Sequence, residues 1–498
     1  MSPLVQIVMY GWLPFSLILF REIRGHRAVI FCFVAGALFL PEVVMNFGGL
    51  PDYSKPAAIC YGILFAAVFL DTERLVDIKF CWLDIPVFVF FLLPIPSALA
   101  NHQPIMDGVN ASLSSLYVWS MPYYLGRVYL RSFEAMRSAA IGIFMGGIAY
   151  VPFCLYEIRM SPYLNTVVYG FQYTNWNGAR FGGFRPNVFL KEGLELGMWM
   201  TAATLCGYAI MRFRICKRVF GLKVEYLFIV LLGTTIGCRA TGALLLLAIA
   251  MAMVYLWQKT RWRLPLLLLG LFPLVYIGLR VTNTYNFSHV AMAARETLGE
   301  EGEARAGSFE FRIKNEDLLI AHAMKAPILG WTGIGGRNRL FREDGGNAVI
   351  TDGYWVIVLG TLGLSGLLTF YAALTSAPIL CIFRFSSRRY RVYDSGALVA
   401  LSVFTIILSI DCLLNAFWTV VYPLCLGGLV TLSNMRDSRL LESHPTEVIL
   451  DEDRIGARRT LWPPKVVSPN DATSNSRIES ATPDLDTIED ESSLNETR

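Results

Sequence analysis

Apolar stretches of roughly 16–24 residues recur along this chain as far as Leu432, each parted from the next by a polar connection. A hydrocarbon core about 30 Å thick takes about 20 helical residues to cross. It holds no water to satisfy a bare backbone, so a chain built of such stretches is confined to helices that bond internally. The fold class expected is therefore all-α, a polytopic bundle of about 12–13 transmembrane spans. The candidate spans are 3–20, 28–45, 56–71, 84–100, 111–130, 138–156, 188–211, 224–238, 241–257, 264–281, 353–383, 395–413 and 416–434. With 54% hydrophobic and only 16% charged residues, the composition excludes an ordinary soluble globular protein.

The polar connections fall into two kinds. "REIRGHR" (21–27), "RSFEAMR" (131–137), "RFRICKR" (212–218), "QKTRWR" (258–263) and "RFSSRRYR" (384–391) are short and basic; the others are poor in Lys and Arg, or long. Short basic loops stay in the cytoplasm, and all five fall on one side if the spans alternate. This threading predicts a multi-pass membrane protein with 282–352 as a long extracytoplasmic loop. The bundle then occupies 1–436. From 437 to 498 the composition turns to Ser, Thr, Pro, Asp and Glu with few aromatics, which predicts a disordered cytoplasmic tail.

The net charge of +4 says less than where the charges lie. The ten cysteines form no CxxC pair and no spaced metal set. Cys32, Cys60, Cys154, Cys206 and Cys425 lie within spans, where packing explains them. No metal site or disulfide framework is expected. The N-terminus has no basic region or small-residue cleavage site before its first apolar run, and it reads as a retained span.

Arg239, in "TIGCRATGALLLL", stands between two apolar stretches, where a guanidinium in hydrocarbon would cost several kcal/mol. Because the flanking basic loops share a side, 224–238 and 241–257 form a hairpin whose tip, Cys238-Arg239-Ala240, reaches the outer rim. Other charges gather on that face. "ARFGGFRPN" puts Arg180 and Arg185 among glycines and aromatics, and Pro186-Asn187 reads as a helix start, a ready anion site. One turn further in stand Lys191, Glu192 and Glu195. Lys191 and Glu195 are spaced to neutralise one another, and otherwise Glu192 or Glu195 is a candidate base.

In the long loop, 309–325 reads as an amphipathic helix with Phe309, Ile313, Leu319 and Ile320 on its apolar face, ended by Pro327. "GWTGIGG" follows it, preceded by no strand, so it is no dinucleotide fingerprint. Arg312 and Arg337 are candidate anion contacts, or solvated loop charges. His322 reads as a helix-surface residue. Asp352 precedes a span, either as a helix N-cap or as an active-site carboxylate. Asp411 and Asn415 read as a pair bonded within the bundle.

Four features in order, "RFGGFRPN", "GCRATGALLL", "FRIKNEDLLIAHAMKAPILGWTGIGG" and "TDGYWVIVLGTLGLSGL", resemble the bacterial O-antigen ligase and O-antigen polymerase superfamily over about 155–380. Its members are integral-membrane glycosyltransferases that move glycans from an undecaprenyl-diphosphate carrier to an acceptor sugar. The resemblance implies that Arg185, Arg239 and Arg312 hold the pyrophosphate. It also implies that Asp352 stands where the family carries a catalytic histidine, with Asp-Gly in place of His-Asn. The implied partners are a polyprenyl-diphosphate-linked glycan, an acceptor sugar or lipid, and membrane lipids, with no nucleic acid, cofactor or metal. The main alternative is a secondary transporter or flippase-like protein for an anionic or lipid-linked substrate; such proteins carry mid-membrane charges and repeats, and this chain shows neither. The first outer loop, "NFGGLPDYSKP", is too short for the acidic pair of the oligosaccharyl- or arabinosyl-transferase type, and a non-catalytic assembly protein is the remaining class.

Overall fold

A computed structural model describes residues 2–435 apart from 24, 47–51, 173–178, 181–182, 285–306, 308–309, 342–348, 350–351 and 387–391, and without the side chains of 179–180 and 392–394. The tail expected over 437–498 and the middle of the long loop thus lie outside the described residues. Every candidate span contains a helix, and among the described residues strands occur only as two-residue hairpin pairs.

Six helices are long and apolar enough to cross a membrane: Pro3–Glu22, Phe133–Met160, Gly193–Arg212, Thr241–Thr260, Leu264–Val281 and Tyr354–Phe385. Trp82–Leu92 and Pro94–Ala100, bent by 41° at their junction, make a seventh if taken as one span. Pro94 accounts for the bend, since it brings no N–H and its ring crowds the preceding turn. Five further apolar helices, including His26–Phe39, Val224–Gly237 and Val421–Asn434, have only 10–17 residues. A 14-residue helix is about 21 Å long, so the expected count of full spans is reduced. Burial explains how short helices survive here: Val421–Asn434 is enclosed by its neighbours from Val421 to Val430.

The chain is a multi-pass membrane protein. Large apolar side chains point outward from the peripheral helices: Ile7 is 67% exposed, Phe69 66% and Leu368 69%. A belt of this kind is stable only against lipid. Gly193–Arg212 lies at the centre, with 83% of its apolar window buried against 28% for Pro3–Glu22.

Tyr354–Phe385 is broken at Gly363 (φ 66°, ψ −161°). Residues 327–332 of the long connection fill the break. Leu364 N donates to Pro327 O at 2.8 Å, Trp331 N to Gly360 O at 2.8 Å and Thr332 N to Thr361 O at 3.0 Å. Glycine is required on both sides of this contact. A Cβ on Gly363 would lie 2.4 Å from Ile328 O, and one on Gly330 2.6 Å from Gly363 N.

The described residues of the five basic loops lie at one end of the bundle, as the alternation requires. Arg27 pairs with Glu134 at 3.2 Å, Phe133 packs on Phe385, Phe213 packs on Trp257, and Arg261 Nη1 donates to Phe385 O at 3.0 Å. The other end collects the start of Gly193–Arg212, the Cys238–Ala240 turn, the end of Leu264–Val281, the helix over 310–323 and the start of Tyr354–Phe385.

Candidate functional site

The site end is organised by Glu157, near the end of Phe133–Met160. Its Oε2 accepts Asn187 N at 2.9 Å and Val188 N at 2.7 Å, and its Oε1 accepts Leu164 N at 3.0 Å. This corrects the helix start expected at Pro186-Asn187. Val188 takes a left-handed φ of 55°, the helix begins at Gly193, and the amides expected to receive an anion already have a carboxylate.

The turn so formed aims Arg185 back over Gly193, where an added Cβ would lie 2.3 Å from Arg185 Cδ. Arg185 Nη2 then donates to Arg239 O at 3.4 Å. Arg239 forms the hairpin tip, with a φ of 57° that few non-glycine residues adopt. Its guanidinium lies against Gly183, 2.6 Å from where a Cβ would stand. The glycines flanking these arginines therefore provide the space their side chains occupy.

Arg312 arrives from the long connection on the helix over 310–323, whose Ile313, Leu319 and Ile320 are buried as expected, while Phe309 lies outside the described residues. Arg280, at the end of Leu264–Val281, pins that helix. It reaches Glu316 Oε2 at 3.2 Å and Asp317 Oδ1 at 2.9 Å, and Tyr276 Oη donates to the same Glu316 oxygen. Arg312 Nε pairs with Asp352 Oδ2 at 3.0 Å. The capping role for Asp352 is thereby corrected, because Gly353 is the N-cap and no side chain caps the helix. The first amides bond the neighbouring turn instead, Tyr354 N to Asn415 O and Trp355 N to Cys412 O, both at 3.2 Å. Asn415 Nδ2 donates to Asp411 Oδ1 at 2.7 Å, the internal pair expected of them, and Arg312 lies within electrostatic reach of Asp411.

Glu192 joins the two halves. Burial raises its pKa above the ordinary carboxylate value, Arg185 opposes the rise, and Asp352 adds to it. One carboxyl thus lies within electrostatic reach of both Arg185 and Asp352. Three arginines and two carboxylates, drawn from four separate segments, gather at one end of the bundle. Such a group can bind an anion through its guanidinium forks and accept a proton beside it.

The remaining expected residues stand apart. Glu195 is buried on another side; its Oε2 accepts Lys191 N at 3.1 Å, and Glu42, Lys55 and Lys191 surround it. Lys191 Nζ reaches Glu42 at 3.8 Å, so the simple Lys191–Glu195 neutralisation becomes a four-residue network. Arg337 donates to Asn101 O at 2.9 Å, beside the bent helix pair, and not to the arginine group. Arg180 pairs with Gly183 across a two-residue hairpin, but its side chain lies outside the described residues. His322 stacks on Trp331 and contacts Arg337 O at 2.9 Å. Arg280 and Glu157 were not singled out in the sequence. The signal for Arg280 was present, since alternation assigns it to the end opposite the basic loops; Glu157 carries no local signal of its partners 30 residues on.

Among the described residues, no three His, Cys, Asp or Glu side chains gather as metal ligands would. No protein-family model matches the chain, and no curated protein matches it.

Proposed function

We propose that the protein transfers or polymerises glycan, moving it from a polyprenyl-diphosphate carrier onto an acceptor sugar at the outer face of the bacterial inner membrane. The observation that supports this reading is the pairing of arginines at one end of the bundle, Arg185 Nη2 on Arg239 O at 3.4 Å and Arg312 Nε on Asp352 Oδ2 at 3.0 Å, with Glu192 within electrostatic reach of Arg185 and Asp352. The basic loops at the opposite end support an outward-facing site and a cytoplasmic tail.

In this reading the acceptor hydroxyl oxygen attacks the anomeric carbon of the carrier-linked sugar. A new glycosidic bond forms as the bond to the diphosphate oxygen breaks. Arg185, Arg239 and Arg312 hold the negative charge that builds on the departing diphosphate, an interaction strongest where charge develops. The hydroxyl proton passes to a carboxylate, either Asp352 or Glu192. The raised pKa of Glu192 makes it the stronger proton acceptor, while Asp352 sits on the arginine that meets the diphosphate.

A second reading, a transporter or flippase for a lipid-linked or anionic substrate, draws on the break at Gly363 and the 41° bend at Pro94, since broken helices line many transport pathways. Proteoliposomes containing the full chain, a polyprenyl-diphosphate-linked glycan and a free acceptor glycan distinguish the two. A new glycosidic product with release of the polyprenyl diphosphate is expected. Movement of unaltered substrate between leaflets, with no product, would replace the transferase reading with the transport one.

A further inference from the structure

The basic-loop end of the bundle holds an open cavity of about 590 Å³ that plays no part in the reading above. It lies where Thr241–Thr260 turns into Leu264–Val281, and Arg261, Trp262, Arg263, Leu264, Leu267 and Phe383 line it. Two cations and two rings thus share a cleft at the rim of a membrane-spanning bundle.

The arginines are held by rings and a carbonyl. Arg261 takes a left-handed φ of 55°, lays its guanidinium 4.2 Å from the Trp257 ring centroid, and donates to Phe385 O at 3.0 Å. Arg263 stands over the Phe383 ring at 5.6 Å. Among the described residues, neither meets a carboxylate. Burial lowers the pKa of Arg261, and no acidic neighbour opposes it. The cleft therefore carries positive charge that no described carboxylate balances.

Its surroundings specify the rest of the ligand. Trp262 is 55% exposed at the rim, and below it Leu264, Leu268, Leu271 and Phe272 expose an apolar stripe along one helix. Tryptophan favours the headgroup level of a bilayer, and arginine stems lie along acyl chains while their heads reach phosphate. A ligand that fits has an anionic head and long apolar tails. A zwitterionic head would also bring an ammonium, for which the cleft offers no acid.

We propose that this cleft binds an anionic phospholipid, its phosphate between Arg261 and Arg263, its headgroup beside Trp262 and an acyl chain along Leu264 and Leu267. The proposal stands independently of the reaction at the other end. Lipid-binding clefts of this make-up, basic and lodged between helices at one membrane face, follow from the same electrostatics that draws polybasic segments to anionic leaflets.

The test is native mass spectrometry of the delipidated full chain offered equal phosphatidylglycerol and phosphatidylcholine. The wild type should retain phosphatidylglycerol preferentially. Arg261→Gln and Arg263→Gln should each weaken that preference roughly fivefold, and the pair about thirtyfold. Equal retention of the two lipids by the wild type, or an unchanged preference in the double variant, would overturn the proposal. Arg261 also bonds Phe385 O, so Arg263→Gln serves alone if the double variant does not fold. An independent arm uses dibrominated phosphatidylglycerol, which should quench tryptophan emission more in the wild type than in Trp262→Phe; equal quenching counts against the site. Inorganic phosphate should leave the unfolding temperature unchanged, and a shift as large as the lipid's would assign the cleft to a free anion instead.

Discussion

Replacing Asp352 with asparagine separates catalysis from architecture, because the structure limits what the carboxylate contributes to stability. Gly353, not Asp352, caps the following helix. Among the described residues the carboxylate pairs with Arg312 Nε at 3.0 Å, with the two side chains 30% and 36% exposed. An exposed pair of this kind contributes about 0.2–1 kcal/mol. Asp352→Asn should therefore leave abundance and thermal unfolding nearly unchanged. Asp352→Ala should behave the same, since no cap is lost. Loss of a general base, by contrast, slows turnover roughly 10²–10⁴-fold, or about 2.7–5.5 kcal/mol of barrier. The two scales differ by enough to be read apart in one preparation. The assay is glycan transfer in proteoliposomes from a polyprenyl-diphosphate-linked donor, with folded protein quantified in parallel. Arg312→Gln is the companion variant: it breaks the same pair but leaves the carboxylate, so its loss should appear as weaker donor binding. A fully active Asp352→Asn enzyme would exclude Asp352 as the base and leave Glu192.

Four further predictions follow from named contacts. Labelling intact cells with an impermeant maleimide should modify a cysteine placed at Glu300 and spare one at Asn470; the reverse pattern would invert the topology and the site with it. Glu157→Ala, which strands three backbone amides, should destabilise the fold by about 1–3 kcal/mol in chemical unfolding, and unaltered stability would remove its organising role. Gly193→Val should drive the Arg185 side chain off its seat and raise the donor concentration needed for half-maximal transfer; an unchanged requirement would show that Arg185 does not touch the donor. The raised pKa of Glu192 means that the folded state binds its proton more tightly than the unfolded state. Its stabilising share is therefore present below the ordinary carboxylate value of 4.5 and is lost as pH rises through the folded pKa. Glu192→Gln should flatten that part of the stability–pH profile, and an identical slope would count against a buried Glu192.

Much of this arrangement could be read along the chain because it depends on local composition. Apolar stretches set the helices, the five basic loops set their alternation, and an arginine between two spans marked the hairpin tip at Arg239. What could not be read depends on partners distant in sequence. Pro186-Asn187 has the composition of a helix start, yet Glu157 claims its amides and Val188 turns left-handed, delaying the helix to Gly193. Asp352 has the composition of a cap, yet Arg312, 40 positions earlier, takes its carboxylate. Glu195 looked like a partner for Lys191 alone, while Glu42 and Lys55 complete its surroundings. Full-length spans were expected where protein burial permits short helices, as in Val421–Asn434.

The central claim is that Arg185, Arg239 and Arg312 together form one diphosphate site. Equilibrium binding of a polyprenyl diphosphate and the matching monophosphate to the full chain in nanodiscs tests it most directly. The diphosphate should bind more tightly, and each of Arg239→Gln and Arg312→Gln should lose about tenfold or more, as expected when a charge-assisted contact worth about 1.5–3 kcal/mol is removed. Equal affinity for the two phosphates, or an Arg239→Gln variant that binds like the wild type, would contradict it.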